Sequence, residues 1–211
     1  MKKFKKLIIA CVGESASGKS TAAKLVSKKY KLTLINSGLL YRYASKLIIK
    51  NKPKNNSGFL KKKFSKISYK RIAKLNLHSE QISNHVAVLS KNKNIRKIIN
   101  NFQKKLIRKN KKICVEGRDI ASKILANRPK YDLAFYFRCS IKVASYRRWL
   151  DIKKKVSLKN VRNSLSKRTL MDKKRKNSPL IKVNDAILIR TDKLNKKEVL
   201  NKMSHYINKL N

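Results

Sequence analysis

Leu7-Ile8-Ile9-Ala10-Cys11-Val12 runs directly into Gly13-Glu14-Ser15-Ala16-Ser17-Gly18-Lys19-Ser20 and then into Thr21-Ala22-Ala23-Lys24-Leu25-Val26. The middle stretch fits G-x-x-x-x-G-K-[ST] without a mismatch, with an apolar strand before it and a helical pattern after it, as the mechanism of such a loop requires. Glycine at 13 and 18 lets successive backbone N–H groups turn inward, and the helix N-terminus adds its positive end to the anion cradle. Lys19 is placed to reach the β and γ phosphates of a nucleoside triphosphate, and Ser20 to offer its hydroxyl to Mg²⁺. The spacing therefore assigns residues 13–21, through Thr21, to triphosphate binding. It does not name the acceptor.

Outward from this loop, short apolar runs alternate with helical stretches, the pattern of βαβ units around a mostly parallel sheet. Strands are expected at Leu7 to Val12, Leu32 to Ile35, Ile113 to Glu116, Leu133 to Phe137 and Ala186 to Ile189. They read as continuous apolar runs because central parallel strands are covered on both faces. Apolar residues recur at steps of three and four in Ile95-Ile98-Ile99-Phe102-Leu106 and in Val199-Leu200-Met203-Tyr206-Ile207, which predicts two core-packing helices. Residues 51–70, with Pro53, Gly58 and a lysine run, read as a loose surface excursion. Residues 158–176 read as a very cationic helix before Pro179. Both are taken as insertions on one α/β core.

The chain has 211 residues, 57 Lys+Arg against 10 Asp+Glu, and 41% hydrophobic residues. One domain of this length buries roughly 70% of its unfolded surface, so the charge does not make the chain disordered. A net charge of +47 invites a nucleic-acid reading. However, the 44 Lys, 13 Arg, 20 Asn and 21 Ile are the mixture that adenine- and thymine-rich codons supply, and the lysines are scattered rather than gathered in one tail. No specific nucleic-acid partner is expected. No apolar run approaches the ~20 residues that span a bilayer. The basic start and Cys11 imitate a lipoprotein signal, but Leu7 to Ala10 falls short of the ~7 apolar residues such a signal needs. Cys11, Cys114 and Cys139 have no CxxC spacing and read as reduced, buried thiols, so a cytoplasmic location is expected. His78, His85 and His205 have neither metal-ligand nor triad spacing. Of the ten acids, Glu116 ends a strand and stays ambiguous. Asp172 sits among cations, and an ion pair along its helix with Arg168 or Lys176, each four residues away, is the purely structural alternative to a place in the site. Glu14 and the remaining acids outside the motif elements read as turn, cap or surface groups.

Four further elements follow the loop: Asn36-Ser37-Gly38-Leu39-Leu40-Tyr41-Arg42, Asn94-Ile95-Arg96 with Gln103, Glu116-Gly117-Arg118-Asp119-Ile120, and Arg168-x-x-x-Asp172-x-x-Arg175 followed by Ser178-Pro179-Leu180. In order and spacing the chain resembles the bacterial cytidylate kinases, a branch of the nucleoside monophosphate kinases, over nearly its whole length. The resemblance implies a P-loop NTPase fold of α/β class, a five-stranded, mostly parallel sheet flanked by helices. It implies a single domain over 1–211, with an acceptor-binding insertion at about 38–110 and a lid at about 153–178. It implies transfer of the γ-phosphoryl group of ATP, with Mg²⁺, to CMP or dCMP by a monomer that works on no membrane.

Residue by residue, it implies that Arg42 and Arg118 hold the acceptor phosphate, that Ser37, Arg96 and Asp119 lie against the nucleoside, and that Arg168 and Asp172 reach the sugar. Arg175 would close over the site, and Lys19, Arg118, Arg168 and Arg175 would act on the transferring group. The chemistry agrees with this set. A phosphate dianion stripped of water needs guanidinium forks, and arginine is scarce here beside lysine. The chain departs from the family pattern at Val12 and Asn36, where Asp is usual, and at Ala87, where a serine contacts the base. The alternatives are another small-molecule kinase of the same fold and, from a different class, a basic RNA-binding protein on a kinase-like scaffold.

Overall fold

The computed structural model describes residues 4–210. Lys2 and Lys3 of the basic start lie outside the described residues. The chain forms β1 (Leu7–Gly13), α1 (Lys19–Tyr30), β2 (Thr33–Asn36), α2 (Ser37–Asn51), α3 (Asn56–Lys66), α4 (Tyr69–Ala73), α5 (Glu80–Leu89) and α6 (Lys93–Arg108). There follow β3 (Lys112–Gly117), β4 (Leu133–Arg138), α7 (Ile141–Asp151), α8 (Leu158–Lys174), β5 (Ile187–Arg190) and α9 (Lys196–Asn208). All five expected strands are present, each within two residues of its expected ends.

The sheet order is β2-β3-β1-β4-β5. β1 pairs in parallel with β3, Cys11 opposite Glu116, and with β4, Gly13 opposite Phe137. β4 pairs in parallel with β5, Phe137 opposite Ile189. The crossovers leaving β1 and β4 run to opposite sides, so the carboxyl ends of these two central strands form the switch point where open α/β sheets bind ligands. All seven residues of β1 are buried.

The chain divides into two compact units, one reaching to Leu34 and resuming at Lys111, the other Ile35–Asn110. In the first unit, Leu7, Ile9, Cys11, Phe135 and Phe137 of the sheet pack with Ala22, Ala23, Val26 and Tyr30 of α1 and Met203 and Ile207 of α9. The second unit has its own core of Leu40, Tyr43, Ala44, Leu60, Phe64, Ile72, Leu77, Ile95 and Ile99.

Residues 51–70 are not a loose excursion. Most of the stretch is helix α3, capped by the Asn55 side chain, which accepts from the Gly58 N–H at 2.9 Å. Its buried Leu60 and Phe64 lie four residues apart on one face, and the lysines at 61–63 and 66 are exposed. The cationic segment is helical, as expected: Ser157 caps α8, and Val161 and Leu165 bury against Ala144 and Cys139.

Gly13 ends β1 where the backbone of β4 comes closest. A Cβ placed there would lie 2.3 Å from the carbonyl oxygen of Phe137. Gly13→Ala is therefore expected to push β1 and β4 apart at the loop and to destabilise the protein by about 3 kcal/mol, the upper end of overpacking effects. Urea unfolding of the variant measures this, and an unchanged midpoint would contradict the close approach.

Candidate active site

Residues 13–20 leave β1 and wrap into the first turn of α1. Gly18, at φ 80°, takes the left-handed conformation that glycine adopts freely and is the N-cap of α1. Ala16 is also left-handed, at φ 55°, without that freedom. Loop hydrogen bonds hold the turn. Ser17 Oγ donates to the Glu14 carbonyl at 2.9 Å, Lys19 Nζ donates to the same carbonyl at 3.1 Å, and Thr191 Oγ1 donates to the Ser17 carbonyl at 3.1 Å. Thr191 is in turn fixed by Arg147, which donates to its hydroxyl at 3.2 Å and its carbonyl at 2.7 Å. Nothing in the sequence motif pointed to Arg147 or Thr191. Thr21 follows on the exposed side of α1.

Lys19 is 5% exposed. Burial, reinforced by the charge of Arg118, pulls its ammonium down to about 7, against the opposing pull of Glu116. An anion placed in the loop would favour the charged form. Glu116, ambiguous in the sequence, lies at the core of the site. Its Oε1 accepts from Ser20 Oγ at 2.9 Å and stands 3.7 Å from Lys19 Nζ.

Arg118 and Asp119 follow β3. Arg118 Nε donates to Asp172 Oδ2 at 2.8 Å, and its Nη2 donates to Ser15 Oγ at 3.1 Å. Asp172 also accepts from Arg175 Nη1 at 3.5 Å, and Arg175 Nη2 is 4.0 Å from Asp119 Oδ1. Asp172 thus pairs with Arg118, 54 residues away in sequence, and with Arg175, three residues on. Burial works to raise the Asp172 carboxyl, but the charge and hydrogen bond of Arg118, with Arg175 and Arg168, hold it below the usual carboxylate range. Arg168 acts on both Asp172 and Lys19 through its charge. Glu14 is not a surface turn residue either. It is 9% exposed, and its Oε1 is 2.7 Å from Lys173 Nζ. The first unit therefore brings together Ser15, Lys19, Ser20, Glu116, Arg118, Asp119, Arg168, Asp172 and Arg175.

In the second unit, Ser37 starts α2 and donates to Gln103 Oε1; both are buried. Arg42 Nη1 donates to Ser83 Oγ at 2.8 Å and to the Leu77 carbonyl at 3.1 Å. Arg96, 5% exposed, donates to the Ser90 carbonyl at 3.1 Å and lies 5.6 Å from the Tyr41 ring centroid. Arg96 and Gln103 stand seven residues apart, among the buried Ile95, Ile99 and Ile107 of α6. Both buried polar groups are satisfied within the unit, Gln103 by Ser37 and Arg96 by the Ser90 carbonyl.

A parallel sheet with a phosphate cradle at its switch point, a buried lysine in that cradle and a ring of arginines beside it define a P-loop phosphotransferase. The family model described as cytidylate kinase matches residues 9–209. Similar curated proteins include the cytidylate kinase of Clostridium tetani, 30% identical over 96% of this chain and 94% of its own length. The cytidylate kinase of Fusobacterium nucleatum is 29% identical, over 97% of this chain and 98% of its own. Among solved structures, a shikimate kinase from Bacteroides thetaiotaomicron superposes with a TM-score of 0.51 at 9% identity, over 96% and 98% of the two chains, a likeness of fold. The chain belongs to the cytidylate kinase family, and its reaction is ATP-dependent phosphorylation of CMP or dCMP.

Proposed function

We propose that the side chains divide this reaction as follows. Residues 13–21 bind the triphosphate, with Lys19 as the charge on the transferring group. Arg118, Arg168 and Arg175 balance the negative charge that spreads over the phosphoryl oxygens, and Arg118 with Arg42 aligns the acceptor phosphate. Ser37, Arg96 and Asp119 read the nucleoside, and Arg168 and Asp172 meet its sugar. The acceptor is already an anion, so positioning and electrostatics suffice and no strong general base is needed. The observation that carries this reading is Arg118, which reaches Ser15 of the phosphate loop and Asp172 of α8 at once.

The hydroxyl of Ser20 and the carboxylate of Glu116, 2.9 Å apart, are the hard oxygen donors that Mg²⁺ takes. Among the described residues no group of three or more His, Cys, Asp or Glu gathers to hold a metal ion. We assign Mg²⁺ to Ser20, with Glu116 beside it. When bound, the ion neutralises the charge of the phosphates. We place the protein in the cytoplasm as a monomer acting on small molecules. The location is supported by its three free cysteines, two of which, Cys11 and Cys114, share a hydrogen bond between thiol sulfurs 3.7 Å apart rather than a disulfide. Among the described residues no helix is long and apolar enough to cross a membrane.

A coupled assay of ADP release with CMP, dCMP, UMP, AMP and GMP tests the acceptor. The expected order is CMP and dCMP well above UMP, with AMP and GMP inactive. Buried groups built to bond one ligand reject analogues that leave them unpaired. Ala87 lies half-buried in α5. Ala87→Ser should widen the CMP preference over UMP by about fivefold, one hydrogen bond's worth. Turnover of AMP equal to that of CMP would overturn the pyrimidine assignment. RNA binding that persists at high salt, without kinase activity, would favour the other class.

A further inference from the structure

A carboxylate on the loop read as binding polyphosphate is electrostatically adverse to that ligand, and Glu14, one of only ten acids in the chain, belongs to this loop. The Glu14 side chain is 11% exposed, so water screens it little. Its charge is felt by its neighbours at the end of β4: burial raises the Tyr136 hydroxyl and Glu14 raises it further. The nearest cation is Lys173, with Nζ 2.7 Å from Oε1. Lys173 belongs to the last turn of α8, next to Asp172, and the same turn is tied down by the Leu180 N–H, which donates to the Asp172 carbonyl at 2.7 Å. Lys173 itself is 43% exposed. The exposure of the lysine limits what the pair contributes to the stability of the fold.

We propose that Lys173 is a positioning residue for nucleotide binding: by pairing with Glu14 it neutralises a carboxylate in the phosphate loop and makes the loop receptive to polyphosphate. It acts through Glu14, not by touching the phosphates. The inference rests on the reading of residues 13–21 as the ATP-binding loop. Removing the lysine leaves the carboxylate uncompensated against the several negative charges of ATP, and removing both groups removes the conflict. The two residues are therefore coupled in ligand affinity. The penalty also follows the charge of the ligand, being largest for ATP, smaller for ADP and negligible for adenosine.

Titration calorimetry with ATP, ADP and adenosine, beside steady-state kinetics, tests this on the full chain. Lys173→Met should weaken ATP binding about tenfold and raise KM for ATP to match, with kcat at saturating ATP and KM for CMP each within about threefold. Glu14→Gln should bind ATP at least as tightly as the unchanged protein. The double variant Lys173→Met, Glu14→Gln should return to within about twofold of it. Lys174→Met, an exposed neighbour on the same helix, serves as the charge control and should leave ATP affinity unchanged. ATP affinity within twofold in Lys173→Met overturns the proposal. So does a double variant as weak as the single one, since Lys173 would then act on the phosphates or the fold directly. Absence of ATP binding to the unchanged protein would instead overturn the assignment of the loop itself.

Discussion

Lys19→Ala is expected to lower kcat/KM for CMP phosphorylation by about 10³-fold while leaving a folded protein, because the side chain supplies charge to the transferring phosphoryl group and little to the core. Its burial is costly rather than stabilising. Unfolded, the ammonium titrates near its ordinary 10.5; folded, burial and Arg118 bring it to about 7. Below pH 7 both states are protonated and the cost of the buried charge is fully present; above pH 10.5 both are neutral and it is gone. Between those limits the unfolded state binds more protons. The contribution of Lys19 to stability therefore rises with pH, at up to about 1.4 kcal/mol per unit. Lys19→Ala should lack this rise, so the difference in urea midpoint between the two proteins should shrink from pH 7 to pH 10, the variant being the more stable at neutral pH. Phosphate favours the protonated form, so ATP affinity should fall above pH 7 and binding at pH 8 should take up a proton. Calorimetry in buffers of different ionisation enthalpy measures that uptake. Full activity in folded Lys19→Ala, or ATP binding without proton uptake at pH 8, would contradict the role given to the lysine.

What the sequence discloses and what it conceals divide along the range of the interactions. The phosphate loop is contiguous, and its chemistry depends on local backbone geometry, so eight residues suffice to read it. The strands are legible for a related reason: β1 is buried along its whole length and carries no polar residue to confuse the pattern. Helix α3 was concealed because only Leu60 and Phe64 are buried in it, while Gly58 and four lysines on its exposed side imitate a loop. The acids were the least legible part. Asp172 has cations four residues away on either side, yet it bonds Arg118. Glu116 meets Ser20 across 96 residues of sequence. Glu14 looked like a turn residue until α8 delivered Lys173 to it. In a chain with 57 cations every acid has several basic neighbours in sequence, so spacing alone cannot choose among them. The fold chooses, by bringing the ends of β1 and β3 to the C-terminal turn of α8. The one signal that was available lay in the scarcity of acids, each of which is improbable enough to merit a partner.

Arg118→Lys is expected to reduce kcat/KM by about 10²-fold or more, although it preserves charge, whereas Arg128→Lys, at an exposed position, should leave activity within about twofold. The difference lies in how Arg118 uses its fork. Nε holds Asp172 at 2.8 Å while Nη2 holds Ser15 at 3.1 Å. A single ammonium has donors enough for either partner but cannot span both from one stem. Against the effect of burial, Arg118, with Arg175 and Arg168, holds the Asp172 carboxyl below the usual carboxylate range, so in the unliganded protein Asp172 occupies part of the guanidinium. An incoming phosphate dianion must then be met by the remaining N–H groups in bidentate geometry, the arrangement that lysine cannot reproduce. The loss should therefore appear in kcat as well as in KM for CMP, since the same group aligns the acceptor and balances charge as the phosphoryl group moves. KM for ATP should change little. If Arg118→Lys raised only KM for ATP, the guanidinium would belong to the donor nucleotide. If it matched Arg128→Lys in every parameter, Arg118 would be a structural tie between the phosphate loop and α8 that a lysine can replace.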